Sequence, residues 1–216
     1  AGWAYRQLEN RAYDSIILLG PSHFAPVNGI AVATEEAYET PLGVVSIDGE
    51  LRGKIRASHP AFVSCQQAFS REHSLEVQLP FLQLTASGTP IVPLALHQPA
   101  PTLVQVLAET LVSILSESKV LVIASSDLSH YYPAPIAEKL DRHALQRILD
   151  LDAEGLLSGV ARNECQLCGA AGVAALVQAC TCLGNVKTKL LSYSHSGMIT
   201  GDHAGVVGYG AVAFYR

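Results

Sequence analysis

Two short apolar runs constrain the fold of this chain more than any other feature: Ser15-Ile16-Ile17-Leu18-Leu19 and Val120-Leu121-Val122-Ile123-Ala124. Neither alternates apolar with polar residues, so each reads as a strand covered on both faces. The second strand is predicted over 119–124, and further strands at 30–34, 43–47, 91–96, 188–193 and 206–214. Helical patterns fall at 49–58, 75–86, 102–115, 134–149, 152–160 and 168–183, and Ala1 to Arg11 reads as the end of another helix. In 102–115, Leu103, Val106, Leu107, Thr110, Leu111 and Ile114 keep the spacing of one buried helix face. Asp152 stands where an N-cap belongs. Strands alternating with helices predict an α/β fold with a mixed, largely parallel central sheet flanked by helices. The last strand, 206–214, is expected to be central.

Composition narrows the function classes. The 216 residues suit one domain. Only 15% are charged, below the roughly 25% of an average globular protein, which fits doubly covered strands or a homo-oligomer surface. The net charge is −5, and no basic stripe with interleaved aromatics exists, so nucleic acid is not an expected partner. No apolar run reaches the ~18 residues of a membrane span, and no charged-then-apolar leader opens the sequence. Five cysteines, an odd number, fit reduced thiols in the cytoplasm.

Both leading strands end in a Ser-His element. Gly20-Pro21-Ser22-His23 follows the first, and Ser125-Ser126-Asp127-Leu128-Ser129-His130 follows the second. Open α/β sheets keep their ligand sites at the carboxyl ends of strands, so His23 is a site candidate. Asp127 and His130 are a second, with Asp orienting an acid/base His. Glu72-His73-Ser74-Leu75-Glu76 opens a helical pattern; Ser74 is the expected cap, and His73 near a helix N-terminus favours the neutral, metal-binding imidazole. Cys165-Gln166-Leu167-Cys168 is either a redox dithiol or the source of one thiolate ligand. Cys180 and Cys182 read as core. His195 and His203 bracket a polar, Gly-rich stretch, 194–203, expected to be a loop over the site or a solvated hairpin. His59, His97 and His143 have no supporting context. The sequence carries no phosphate-binding Gly-rich loop, no Gly-x-Ser-x-Gly elbow and no His-Glu-x-x-His helix.

The ordered set Gly-Pro-Ser-His, Glu-His-Ser-Leu-Glu-Val-Gln-Leu-Pro-Phe, Ser-Ser-Asp-Leu-Ser-His, Cys-Gly and Val-Val-Gly-Tyr-Gly-Ala, with Thr40-Pro41-Leu42-Gly43, resembles the Memo family from about Ile16 to Phe214. The resemblance extends to the B-type protein of the AmmeMemoRadiSam system and implies a fold like that of the class III extradiol dioxygenases. It implies one Memo-like domain, 1–216, without the Pro-His-Ala-Gly-Tyr strand segment that usually opens family members. It implies one transition metal, iron or copper ahead of zinc, held by His23, His73 and Cys168, with Asp127 and His130 beside it. A radical-SAM protein is the implied partner.

The expected function is a metal-dependent, dioxygenase-like oxidoreductase acting on an unknown small molecule. A thiolate in place of the extradiol enzymes' carboxylate argues against carrying over catechol cleavage. Two other readings stay open: a non-catalytic metal- or peptide-binding protein using the same cleft, and a zinc-dependent hydrolase.

Overall fold

The computed structural model describes residues 1–216. The chain enters through α1 (Gly2–Tyr5) and a 3-10 turn, then forms β1 (Ser15–Pro21) and β2 (Ile30–Val32). A hairpin of β3 (Ala37–Thr40) and β4 (Gly43–Ser46) leads to α2 (Gly49–Ser58) and β5 (Phe62–Ser64). After a second 3-10 turn come α3 (His73–Glu76), α4 (Leu79–Thr85), β6 (Ile91–Leu96), α5 (Pro101–Glu117) and β7 (Val120–Ala124). The remainder is β8 (His130–Tyr132), α6 (Ala134–Leu149), α7 (Ala153–Ala161), α8 (Ala170–Leu183), β9 (Lys187–His195), α9 (Gly197–Thr200) and β10 (Val206–Tyr215). No helix is long and apolar enough to cross a membrane.

The main sheet has the order β5-β2-β6-β1-β7. β1 runs parallel to both β6 and β7, and β2 is parallel to β5 and antiparallel to β6. This is the mixed, largely parallel sheet that the apolar runs predicted. All seven residues of β1 are buried. Ile17 and Leu19 join a core with Leu107, Leu111 and Ala174 of α5 and α8, while Ile16 and Leu18 join another with Tyr5, Leu75, Leu79 and Leu82 of α1, α3 and α4. Each such side chain contributes roughly 1.5–3 kcal/mol by leaving water, which explains why β1 tolerates no polar position along its middle.

Several expectations change in detail. β10 is central, but in a separate antiparallel sheet, β8-β10-β9. The predicted helix at 75–86 is two helices, because Pro80 has no N–H to continue the α3 ladder and sits instead in the first turn of α4. The stretch 194–203 is not one loop: His195 completes β9 opposite Gly208 and is 2% exposed, and α9 follows. Cys182 is exposed on the last turn of α8, whereas Cys180 is buried.

Candidate metal centre

The site is built first by the turn after β1. The Ser22 amide donates to the Leu96 carbonyl at 2.9 Å, and Ser22 Oγ donates to the Ala25 carbonyl at 2.7 Å. This delivers His23 to the carboxyl end of the sheet. α3 then lies against β1 because residue 20 is glycine: a Cβ there would meet Leu75 Cδ2 at 2.7 Å and Ser74 Oγ at 2.9 Å. His73, the first residue of α3, is thereby brought beside His23. The two imidazoles lie nearly parallel, with centroids 5.4 Å apart and planes 12° apart.

Glu72 sits beneath them with its side chain 1% exposed. Its Oε2 accepts the His23 amide at 2.7 Å, its Oε1 accepts the Ser74 amide at 2.9 Å, and His23 Nδ1 stands 3.0 Å from Oε1. His73 Nδ1 is farther away, at 3.9 Å. Glu72, not the expected Ser74, therefore caps α3; the Ser74 hydroxyl is buried without a partner. Burial pushes the Glu72 carboxyl up, but the amides of His23 and Ser74 and the His23 ring outweigh it and hold the group below the usual glutamate range. One potential ligand atom from each of His23, Glu72 and His73 lies within 4.8 Å of the others, a grouping able to hold a metal ion.

The second half lies at the end of β7, next to β1 in the sheet. Here the loop 125–130 is laced to the loop 165–169. The Asp127 amide donates to Cys168 Sγ at 3.2 Å and the Cys168 amide to the Asp127 carbonyl at 3.2 Å. The Gly169 amide donates to Ser126 Oγ at 2.8 Å, and the His130 amide to Gln166 Oε1 at 2.9 Å. Burial pushes the Cys168 thiol up, against the opposing pull of the Asp127 amide and the Ser126 hydroxyl. Asp127 Oδ2 reaches to 3.6 Å from His130 Nε2 across a non-helical turn. Burial, then the charges of Asp127 and Tyr131, push the Tyr209 hydroxyl up beside this pair.

Ser125 ties the halves together: its hydroxyl donates to the Ser74 carbonyl at 2.7 Å and accepts from Gln78 Nε2 at 2.8 Å. The structure thus joins His23 to His73, and Cys168 to Asp127 and His130, at the ends of two adjacent parallel strands. The Cys168 sulfur stands outside the group around Glu72. Cys165 is buried, with its sulfur 3.8 Å from the Leu156 carbonyl, so the two thiols of the Cys-x-x-Cys serve different surroundings. His59, His97 and His143 are exposed.

Three contributors escaped the sequence reading. Glu72 was visible only as the residue before a helix-opening histidine. Gln166 was hidden between two cysteines. Asp141, 0% exposed, accepts the Ser129 amide and the Tyr193 hydroxyl, each at 2.8 Å, and no local pattern marks it out on α6.

The profile of the family described as Memo, Memo-like protein, matches residues 1–213. The chain belongs to the Memo family. A MEMO1 family protein of Nitrosopumilus maritimus is 33% identical over 99% of this chain and 78% of its own length. One from Methanopyrus kandleri is 34% identical over 100% of this chain and 78% of its own. One from Methanosarcina barkeri is 36% identical over 92% and 75%. Among solved structures, an uncharacterized protein of Escherichia coli K12 superposes with a TM-score of 0.60 at 15% identity, over 97% of this chain and 92% of that one. At that identity the likeness is one of fold, and it agrees with the α/β architecture above.

Proposed function

We propose that this Memo protein is a metal-dependent, non-heme oxidoreductase of dioxygenase-like type that acts on a small molecule. The observation that carries the reading is the facing pair His23 and His73 over the buried carboxylate of Glu72. Two imidazoles on rigid element ends suit iron, copper or zinc. His23 and His73 would supply nitrogens to such an ion, while Cys168, whose sulfur stands outside their group and whose thiol burial pushes up, would have to lose its proton and approach to add a thiolate. Iron or copper bound there would supply electron transfer to or from oxygen and substrate.

The remaining work falls to the chain's own side chains. His130 turns Nε2 toward Asp127 Oδ2 at 3.6 Å, which would orient the ring and leave Nδ1 as the nitrogen to take or give a proton. Simple metal storage needs neither residue, so their position beside Cys168 favours an enzyme. Tyr209 adds a hydroxyl near Asp127.

The test is anaerobic purification followed by elemental analysis of wild type and His23→Ala. The expected result is about one iron or copper per chain in wild type, lost in a variant whose circular dichroism is unchanged. Equal metal content in both overturns the assignment of His23. Zinc as the native ion would instead favour the hydrolase reading, since zinc would supply Lewis-acid and not redox chemistry.

A further inference from the structure

We infer that Glu72 orients His23 for the metal and is not itself a ligand: it holds the imidazole as the Nδ1–H tautomer and leaves Nε2 as the coordinating nitrogen. The inference rests on the metal-site reading above and assigns a positioning role within it.

The argument is one of occupancy. An ionised carboxylate offers two oxygens with about four lone-pair directions. In Glu72, Oε2 receives the His23 amide at 2.7 Å and Oε1 receives the Ser74 amide at 2.9 Å. His23 Nδ1 lies across both, at 3.0 Å from Oε1 and 3.2 Å from Oε2. A carboxylate can only accept, so Nδ1 is the donor. The side chain is 1% exposed, so an ion reaching it would have to displace the amides it already accepts. His23, by contrast, is one-third exposed, and its ring hydrogen-bonds the protein through Nδ1, not Nε2.

A carboxylate behind a metal-bound histidine fixes the tautomer and raises the basicity of the ring. The same carboxylate stands 3.9 Å from His73 Nδ1, beyond hydrogen-bond reach. His73 is therefore not locked in the same way. The two histidines of the site differ, and that difference is measurable before any metal is added.

The experiment has two arms, using wild type and Glu72→Gln. The first is long-range nitrogen–proton NMR of the metal-free protein at pH 8, with His23 assigned by His23→Ala. Wild type should show His23 wholly as the Nδ1–H tautomer, and the variant a mixture, with His73 unchanged between them. The second is titration with cobalt(II) followed by visible absorption. Glu72→Gln should bind about 10–100-fold more weakly, yet at saturation give the wild-type spectrum, because the coordinating atoms are the same.

A wild-type His23 in the Nε2–H form overturns the inference, as does a saturated variant spectrum showing a changed coordination number. The wild-type tautomer decides the question even if the variant does not fold. Failure of wild type to bind cobalt overturns the metal reading instead, and leaves the tautomer result standing on its own.

Discussion

Burial separates the cysteines by behaviour as well as by place. Cys180 is 5% exposed within α8, and burial pushes its thiol from 9.0 up to about 11. A raised folded value means that its stabilisation is whole below the unfolded thiol's pKa and is lost as pH rises toward 11. Unfolding free energy from urea melts should therefore fall between about pH 9 and 11, by on the order of 2 kcal/mol from this thiol at 1.36 kcal/mol per unit. Tyr5 and Tyr193, pushed up mainly by burial, extend the loss at higher pH. Cys180→Ala should remove the thiol's share of that slope. Alkylation of native protein at pH 8 should mark exposed Cys182 and spare Cys180; equal labelling would contradict the packing of α8. A different residue-scale effect belongs to Gln166. Its replacement by alanine leaves the His130 amide without its acceptor, at a cost of about 1–3 kcal/mol. Amide exchange should quicken at His130 and stay unchanged at His23, whose amide is held by Glu72.

Among the elements, those governed by neighbours in sequence were legible and those governed by distant contacts were not. α2 was read at its full bounds because Asp48 caps it locally, its Oδ1 accepting the Leu51 amide at 2.9 Å. α7 was read within a residue because Asp152 likewise accepts the Gly155 amide at 2.8 Å. β8 was missed because a three-residue strand is paid for only by its pairing with β10. The lacing of loop 125–130 to loop 165–169 is of the same non-local kind, and it depends on Gly169. The backbone there has φ −91, which any residue adopts, but a Cβ would lie 2.4 Å from the Ser125 carbonyl oxygen. Gly169→Ala should force the loops apart and lower stability by about 1–3 kcal/mol, the usual scale of overpacking. Thermal melting checks this, and an unaltered melting temperature would mean that the loops are not in the contact described.

For the whole molecule, the candidate centre sits between two separately anchored pieces: the end of β1 and the start of α3. An ion bridging them binds the folded chain and not the unfolded one, so it should stabilise by mass action. At a free metal concentration 100 times the dissociation constant the gain is about 2.7 kcal/mol, or roughly 5–10 °C in melting temperature for a chain of this size. His23→Ala should melt at the same temperature with and without metal. A metal-induced rise surviving in that variant would place the ion elsewhere.

The sequence by itself determined that this is an α/β protein with buried strands at 15–19 and 120–124, that His23 and His130 follow those strands, and that the chain resembles the Memo family. Those features are local: apolar runs, caps and short motifs act through residues a few positions apart. Only the tertiary structure decided which candidates meet. It placed His23 against His73 across the glycine at position 20, seated Glu72 under both, gave the Cys168 sulfur to the Asp127 amide, and buried His195 at a strand end. Each of those outcomes depends on contacts between segments tens of residues apart, whose geometry follows from how β1, α3, β7 and α8 pack and not from any spacing along the chain.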